Sequence, residues 1–125
     1  MNKEIRKDIE RAEQALESAQ RNLKEGDMLT AANRNFIACE NAICVLLKSK
    51  FGSNSISRMK ILTKLKEIDP CAKEAYDNSY DLRVQADYGR ESRIIPLNED
   101  NLEKSLEIVS NLVEKARRLL EKNKA

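Results

Sequence analysis

Residues 3–24 read KEIRKDIERAEQALESAQRNLK, and the spacing of apolar side chains in this stretch sets the fold class. Ile5, Ile9, Ala12, Leu16, Ala19 and Leu23 recur at alternating intervals of four and three. That is one apolar stripe along an α-helix, the seam a helix presents to a neighbour. Acidic and basic residues share the other faces in near balance, which predicts a solvated outer surface. The same rhythm returns late in the chain, at Leu102, Leu106, Val109, Val113, Ala116 and Leu120. Two matching seams predict that the first and last helices pack together.

The punctuation between these seams is legible. In Lys24-Glu25-Gly26-Asp27, Gly26 can take the left-handed conformation that ends a helix and Asp27 can cap the next. The second helix is expected from Met28 to Lys50, with Leu29, Ala32, Phe36, Ile43, Leu46 and Leu47 toward the core. Asn33, Arg34, Asn35, Glu40 and Asn41 interrupt its polarity pattern, and Arg34 reads either as an exposed cation or as a partner for Glu40. Phe51 to Ser55 is a loop by composition. A short helix is expected over Ile56–Ile68, in a positive segment that reads as a solvated surface or as an RNA-facing patch. Asp69-Pro70 starts the fourth helix, Pro70 to Tyr88, because Asp caps and Pro at the first helical position gives up no hydrogen bond. Its small-residue face is Ala72, Ala75, Ser79, Leu82 and Ala86. Glu74, Asp77 and Asp81 form an acidic row, read as solvated rather than as a Mg2+ site. A loop from Gly89 to Leu97 leads to Asn98, which caps the last helix, with Leu97 and Leu102 spaced as a hydrophobic staple. The result is an all-α domain over residues 1–125, an up-and-down bundle of four long helices plus one short helix.

Composition narrows the chemistry. The 125 residues contain no His, which removes the usual general base near neutral pH and any Ser–His or Cys–His nucleophile pair. The three Cys are odd in number and form no CxxC, so neither a disulfide framework nor a zinc site is indicated, and a reducing cytoplasm is the expected setting. No apolar run approaches the roughly 18 residues a membrane span needs. The net charge of +2 is too small to imply a nucleic-acid partner by itself. No cofactor and no metal are expected.

One stretch concentrates chemistry: Asp81 to Gly89, DLRVQADYG. Arg83 and Asp87 are four apart and can pair on one helix face, with Tyr88 at the helix end. On spacing alone this is a terminal salt bridge beside a capping aromatic.

The run ERAEQALESAQRNLKEGDMLTAANRNF, with AANR at Ala31–Arg34, followed by LRVQADYG at Leu82–Gly89, resembles the HEPN superfamily (higher eukaryotes and prokaryotes nucleotide-binding). It is most similar to a small stand-alone prokaryotic branch, over about Arg11 to Leu120. The resemblance implies a homodimer with an interface groove lined by the second and fourth helices. It also implies a toxin–antitoxin-like role, a minimal nucleotidyltransferase as partner, and RNA or nucleotide as ligand. Active relatives are metal-independent ribonucleases carrying an Arg followed after four to six residues by His. Arg83 matches the Arg, and Tyr88 stands at the closest His spacing. Asn35, Ile37, Glu40 and Asn41 fall where the branch is usually aromatic-rich. The implied site is Asn33 orienting Arg34, with Arg34, Arg83 and Asp87 binding nucleotide or RNA. A phenol titrates near about 10 and is a poor base at neutral pH. A weak or inactive binding dimer is therefore expected. The alternatives are a ribonuclease using Arg83 and Tyr88, and a purely structural dimerisation module. Tyr88 is also the residue a nucleotidyltransferase partner would load with AMP.

Overall fold

The computed structural model describes residues 2–51, 63–67 and 69–124. Four long helices carry the chain: α1 (Asn2–Lys24), α2 (Met28–Phe51), α4 (Pro70–Tyr88) and α5 (Glu99–Lys124). Between α2 and α4, residues 63–67 are helical and form α3. This is the expected all-α bundle. The rest of the predicted short helix, 56–62 and Ile68, and the loop positions 52–55 lie outside the described residues, as do the basic side chains Arg58 and Lys60. Phe51, expected in a loop, is the last residue of α2.

The helix boundaries follow from local chemistry. Gly26 adopts φ +86°, where an L side chain is strained, and closes α1. Asp27 then accepts the Thr30 N–H at 3.1 Å and caps α2. Asp69 accepts the Ala72 N–H at 3.1 Å at the start of α4, with Pro70 at its first position. Asn98 accepts the Asn101 N–H at 2.8 Å at the start of α5.

α2 is the central element, in contact with α1, α4 and α5. Its low charge is the cause: Ala31, Ala32, Phe36, Ala38, Cys39, Ala42, Ile43, Val45, Leu46 and Leu47 are all buried. The α1 seam buries Ile5, Ile9, Ala12 and Ala19, and the α5 seam buries all six of its predicted residues. The two helices do pack together, and an Arg117–Glu13 ion pair ties them. Each large aliphatic side chain so buried contributes about 1.5–3 kcal/mol relative to exposure. Leu97 packs on the cluster that contains Leu102, as the staple predicts.

Three expectations need correction. Leu29, assigned to the core, is 57% exposed, because the first turn of α2 turns Ala31 and Ala32 inward and leaves Leu29 on the face of Asn33, four residues on. The charges of α1 are not all solvated. Asp8 is buried and accepts from Lys48 Nζ on α2 at 2.6 Å, with Glu4 at 3.6 Å from the same ammonium. Burial alone would push the Lys48 ammonium down, but the Asp8 bond and the charges of Asp8 and Glu4 outweigh it and hold the group above its ordinary value. The acidic row on α4 is solvated only in part, at the exposed Glu74. Asp77 pairs with Lys73 at 2.6 Å, and Asp81 is buried.

Two further polar groups are enclosed. Asn35, fully buried, donates from Nδ2 to Ser105 Oγ on α5 at 2.8 Å, while its Oδ1 has no partner among the described residues. Cys39 is buried in contact with Ser79, and burial pushes its thiol up to about 12. Cys39, Cys44 and Cys71 form no disulfide. No helix among the described residues is long and apolar enough to cross a membrane.

Candidate functional site

The site is made where the last turns of α4 lie against the first half of α2. α4 stops at Tyr88 because Gly89 takes φ 64°, ψ 24° and returns its N–H to the Gln85 carbonyl at 3.0 Å. The stop fixes Arg83 and Asp87 one turn apart at the helix end. Arg83 Nε donates to Asp87 Oδ2 at 3.1 Å. The same oxygen accepts from Asn33 Nδ2 on α2 at 2.9 Å. Asp87 thus joins a cation on α4 to an amide on α2, across 54 residues of sequence.

Phe36 completes the arrangement. It lies one turn after Asn33 on α2, and the Arg83 guanidinium carbon sits 5.2 Å from its ring centroid. The Phe36 ring meets Tyr76 and Tyr80 edge-on, with centroids 5.4 and 5.5 Å away, and the two tyrosines are stacked on one another. The ring therefore has aromatic support on one side and a guanidinium over its face, a contact that adds roughly 0.5–1 kcal/mol at a partly exposed site.

Of the Arg83 donors, Nε alone is bonded among the described residues. The Nη1 and Nη2 groups form the open end of a planar fork, the geometry that takes two oxygens of a phosphate or carboxylate at once. With its side chain 31% exposed, Arg83 is neither sealed nor free to sweep through solvent. The aspartate and the ring hold it in a fixed direction.

The structure brings together Asn33, Arg83 and Asp87 from the predicted set. It gives Asn33 the Asp87 carboxylate as partner, not Arg34. Arg34 is exposed and has no partner among the described residues, Glu40 included. Tyr88 is 62% exposed, outside the network, with the Arg90 guanidinium 5.5 Å over its ring. Sequence alone places Phe36 in the core and not in the site. Its position three residues after Asn33, on the same helix face, is the signal that points to it. Among the described residues no group of His, Cys, Asp or Glu is arranged to hold a metal ion.

Comparison with protein families matches the HEPN domain over residues 5–122. A crystal structure of a protein from Sulfolobus solfataricus has a similar fold. The TM-score is 0.70 at 22% identity, over 88% of this chain and 96% of that one. At that identity the likeness is one of fold. Comparison with curated proteins gives no match.

Proposed function

We propose, for a chain that belongs to the HEPN family, that residues 1–125 act as one domain in a cytoplasmic homodimer that binds nucleotide or RNA in an interface groove. The faces of α2 and α4 around Asn33, Arg83 and Asp87 line that groove, with Arg34 and Tyr88 at its rim. The observation that carries this reading is the open fork of Arg83, held at Nε by Asp87 and backed by Phe36. An arginine with a fixed direction and unused terminal donors suits a phosphate. The chain lacks His, so the groove has no ordinary base to take the 2′-hydroxyl proton, and RNA cleavage is weak or absent. The chain serves as a toxin–antitoxin-like component alongside a minimal nucleotidyltransferase. The exposed Tyr88 is the acceptor that such an enzyme would use.

Binding of labelled AMP and of a single-stranded RNA, by fluorescence anisotropy, tests this reading. Arg83→Ala should weaken both at least tenfold with the dimer intact by ultracentrifugation. Unchanged binding would remove the arginine clamp. Incubation of the RNA in chelator tests the ribonuclease alternative, in which cleavage is lost in both Arg83→Ala and Tyr88→Phe. One observation favours the structural reading: the Asn33–Asp87 bond ties α2 to α4. If Arg83→Ala yields a folded monomer, that reading replaces the binding one.

A further inference from the structure

The seam between α1 and α5 is filled on its inner side and open along its outer one. The two helices run antiparallel: Glu13 of α1 pairs with Arg117 late in α5, and Leu23 near the end of α1 lines a cavity with Glu99 and Glu103 at the start of α5. Two cavities, of about 650 and 250 Å3, follow the outer side. They share Gln20 and Ser110, so they form one groove. It reaches from Glu99 to Arg117, about 27 Å at the helical rise of about 1.5 Å per residue. Its floor is apolar, made by the half-buried Leu16 and Leu23 of α1 and the buried Leu106 and Val113 of α5.

The walls of the groove are acidic, and one row of carboxylates is unmet. In the larger cavity Glu99, Glu103 and Glu107 stand against the single ammonium of Lys24. In the smaller one Glu13 holds Arg117, Glu114 holds Arg118, and Glu17 lies 3.9 Å from Arg21. Glu99, Glu103 and Glu107 are exposed and have no hydrogen-bond or ion-pair partner among the described residues. Each follows the last by four residues, so they share one face of α5 at a pitch of about 6 Å. The helix dipole accounts for Glu99, in the first turn of α5. It does not account for Glu103 and Glu107, because that field fades beyond the first turn. The charge is local, since the whole chain carries +2.

We infer that this groove docks a basic amphipathic helix of a partner protein. Two antiparallel helices with an apolar floor between them leave the place of a third, whose apolar stripe covers Leu16, Leu23, Leu106 and Val113. Lysine or arginine at every fourth position along one flank of that helix meets Glu99, Glu103 and Glu107 in turn. The cation row neutralises what this chain leaves unmet, and the apolar stripe adds burial that free cations lack. A second copy does not fit the place with its α1. Lys3, Lys7 and Arg11 there have the spacing, but Ile5 and Ile9 beside them are buried in that copy's own core. The carboxylates also repel nucleic acid, so this face does not extend the Arg83 site. α1 and α4 are not in contact among the described residues, and the docking proposal stands independently of the reading of Arg83.

The probe is a labelled peptide of about 18 residues, long enough as a helix to span the groove. It carries leucines at three- and four-residue intervals and lysines at every fourth position on one flank. A rearranged peptide has the same residues scattered over all faces. By fluorescence anisotropy the parent should bind the amphipathic peptide at least tenfold more tightly than the rearranged one. Glu99→Gln/Glu103→Gln/Glu107→Gln should weaken it at least tenfold. Glu67→Gln/Glu74→Gln/Glu91→Gln, the same loss of charge at exposed positions outside the groove, should change it less than twofold. Gln20→Trp, at the exposed position common to both cavities, should weaken it at least tenfold with no change of charge. Circular dichroism of each variant should match the parent. Equal binding of the two peptides, or equal loss in the two triple variants, reduces the effect to net charge and overturns the inference. Undiminished binding to Gln20→Trp overturns it too, as does a parent that binds neither peptide. If Glu99→Gln/Glu103→Gln/Glu107→Gln sediments as a smaller assembly than the parent, a second copy fills the groove and the inference falls.

Discussion

Two ion pairs lie where α2 meets its neighbours, and they differ in what they leave open. Lys48–Asp8, between α2 and α1, is sealed: both side chains are buried, at 2.6 Å, with Glu4 nearby. Arg83–Asp87, on α4 with Asn33 of α2, is about a third exposed and leaves two guanidinium nitrogens without a partner among the described residues. A sealed pair can only serve the fold. It removes two charges from water, and their attraction must compensate that cost within the pair. A half-open pair serves as a mount, in which one partner is consumed in aiming the other.

The largest effect expected from breaking this comparison is at the sealed pair. Asp8→Ala leaves the Lys48 ammonium buried with only the more distant Glu4, and should cost about 3–5 kcal/mol in urea unfolding. Asp8→Leu with Lys48→Met should recover most of that loss, since it removes both charges together. A loss below about 1 kcal/mol for Asp8→Ala would mean that Lys48 swings out to water.

A smaller effect is expected at Asp69, whose carboxylate caps α4 and meets Lys115 of α5. Burial alone would raise its carboxyl. The Lys115 ammonium and the N–H groups of Ala72 and Cys71 outweigh burial and hold it below the ordinary aspartate value of 3.8. A folded value below the unfolded one means stabilisation that is present above about pH 4 and lost as pH falls through the folded value. Asp69→Ala should therefore cost about 0.5–2 kcal/mol at neutral pH, the usual range for a lost cap. The gap to the parent should close at acidic pH. A gap independent of pH down to about pH 2 would rule out the ionised carboxylate as its source.

The smallest effect on stability is expected at the open pair. Arg83→Ala should cost no more than about 1 kcal/mol, because exposed pairs contribute little and the ring contact is modest. A cost near that of Asp8→Ala would make Arg83 a structural residue and erase the difference between the two pairs.

What the sequence discloses divides along the same line. Helix ends are legible because Gly26, Asp27, Asp69, Pro70 and Asn98 act within three or four residues of themselves. The seams of α1 and α5 are legible because helical period is a local property. The Arg83–Asp87 pair is legible for the same reason. Partners distant in sequence are not. Nothing near Asp8 in the chain distinguishes it from the solvated acids of α1, since its cation is 40 residues away. Asp81 reads as one of a row of surface acids, because the backbone it anchors lies 12 to 14 residues later and offers no side-chain pattern to match. Asn33 invites pairing with its sequence neighbour Arg34, when its partner comes 54 residues on. Leu29 escapes the pattern because a hydrophobic side chain in the first turn of a helix need not follow the stripe of later turns.

The environment of Cys39 makes the molecule its own unfolding clock. Its thiol is enclosed by the core and ionises only near about 12, while Cys71 stands at the surface. Thiolate is the reactive form, so in the closed state a labelling reagent has neither access to Cys39 nor a nucleophile to meet. Alkylation of Cys39 at neutral pH must wait for α2 and α4 to part. Its rate counts those openings, with no spectroscopic probe introduced.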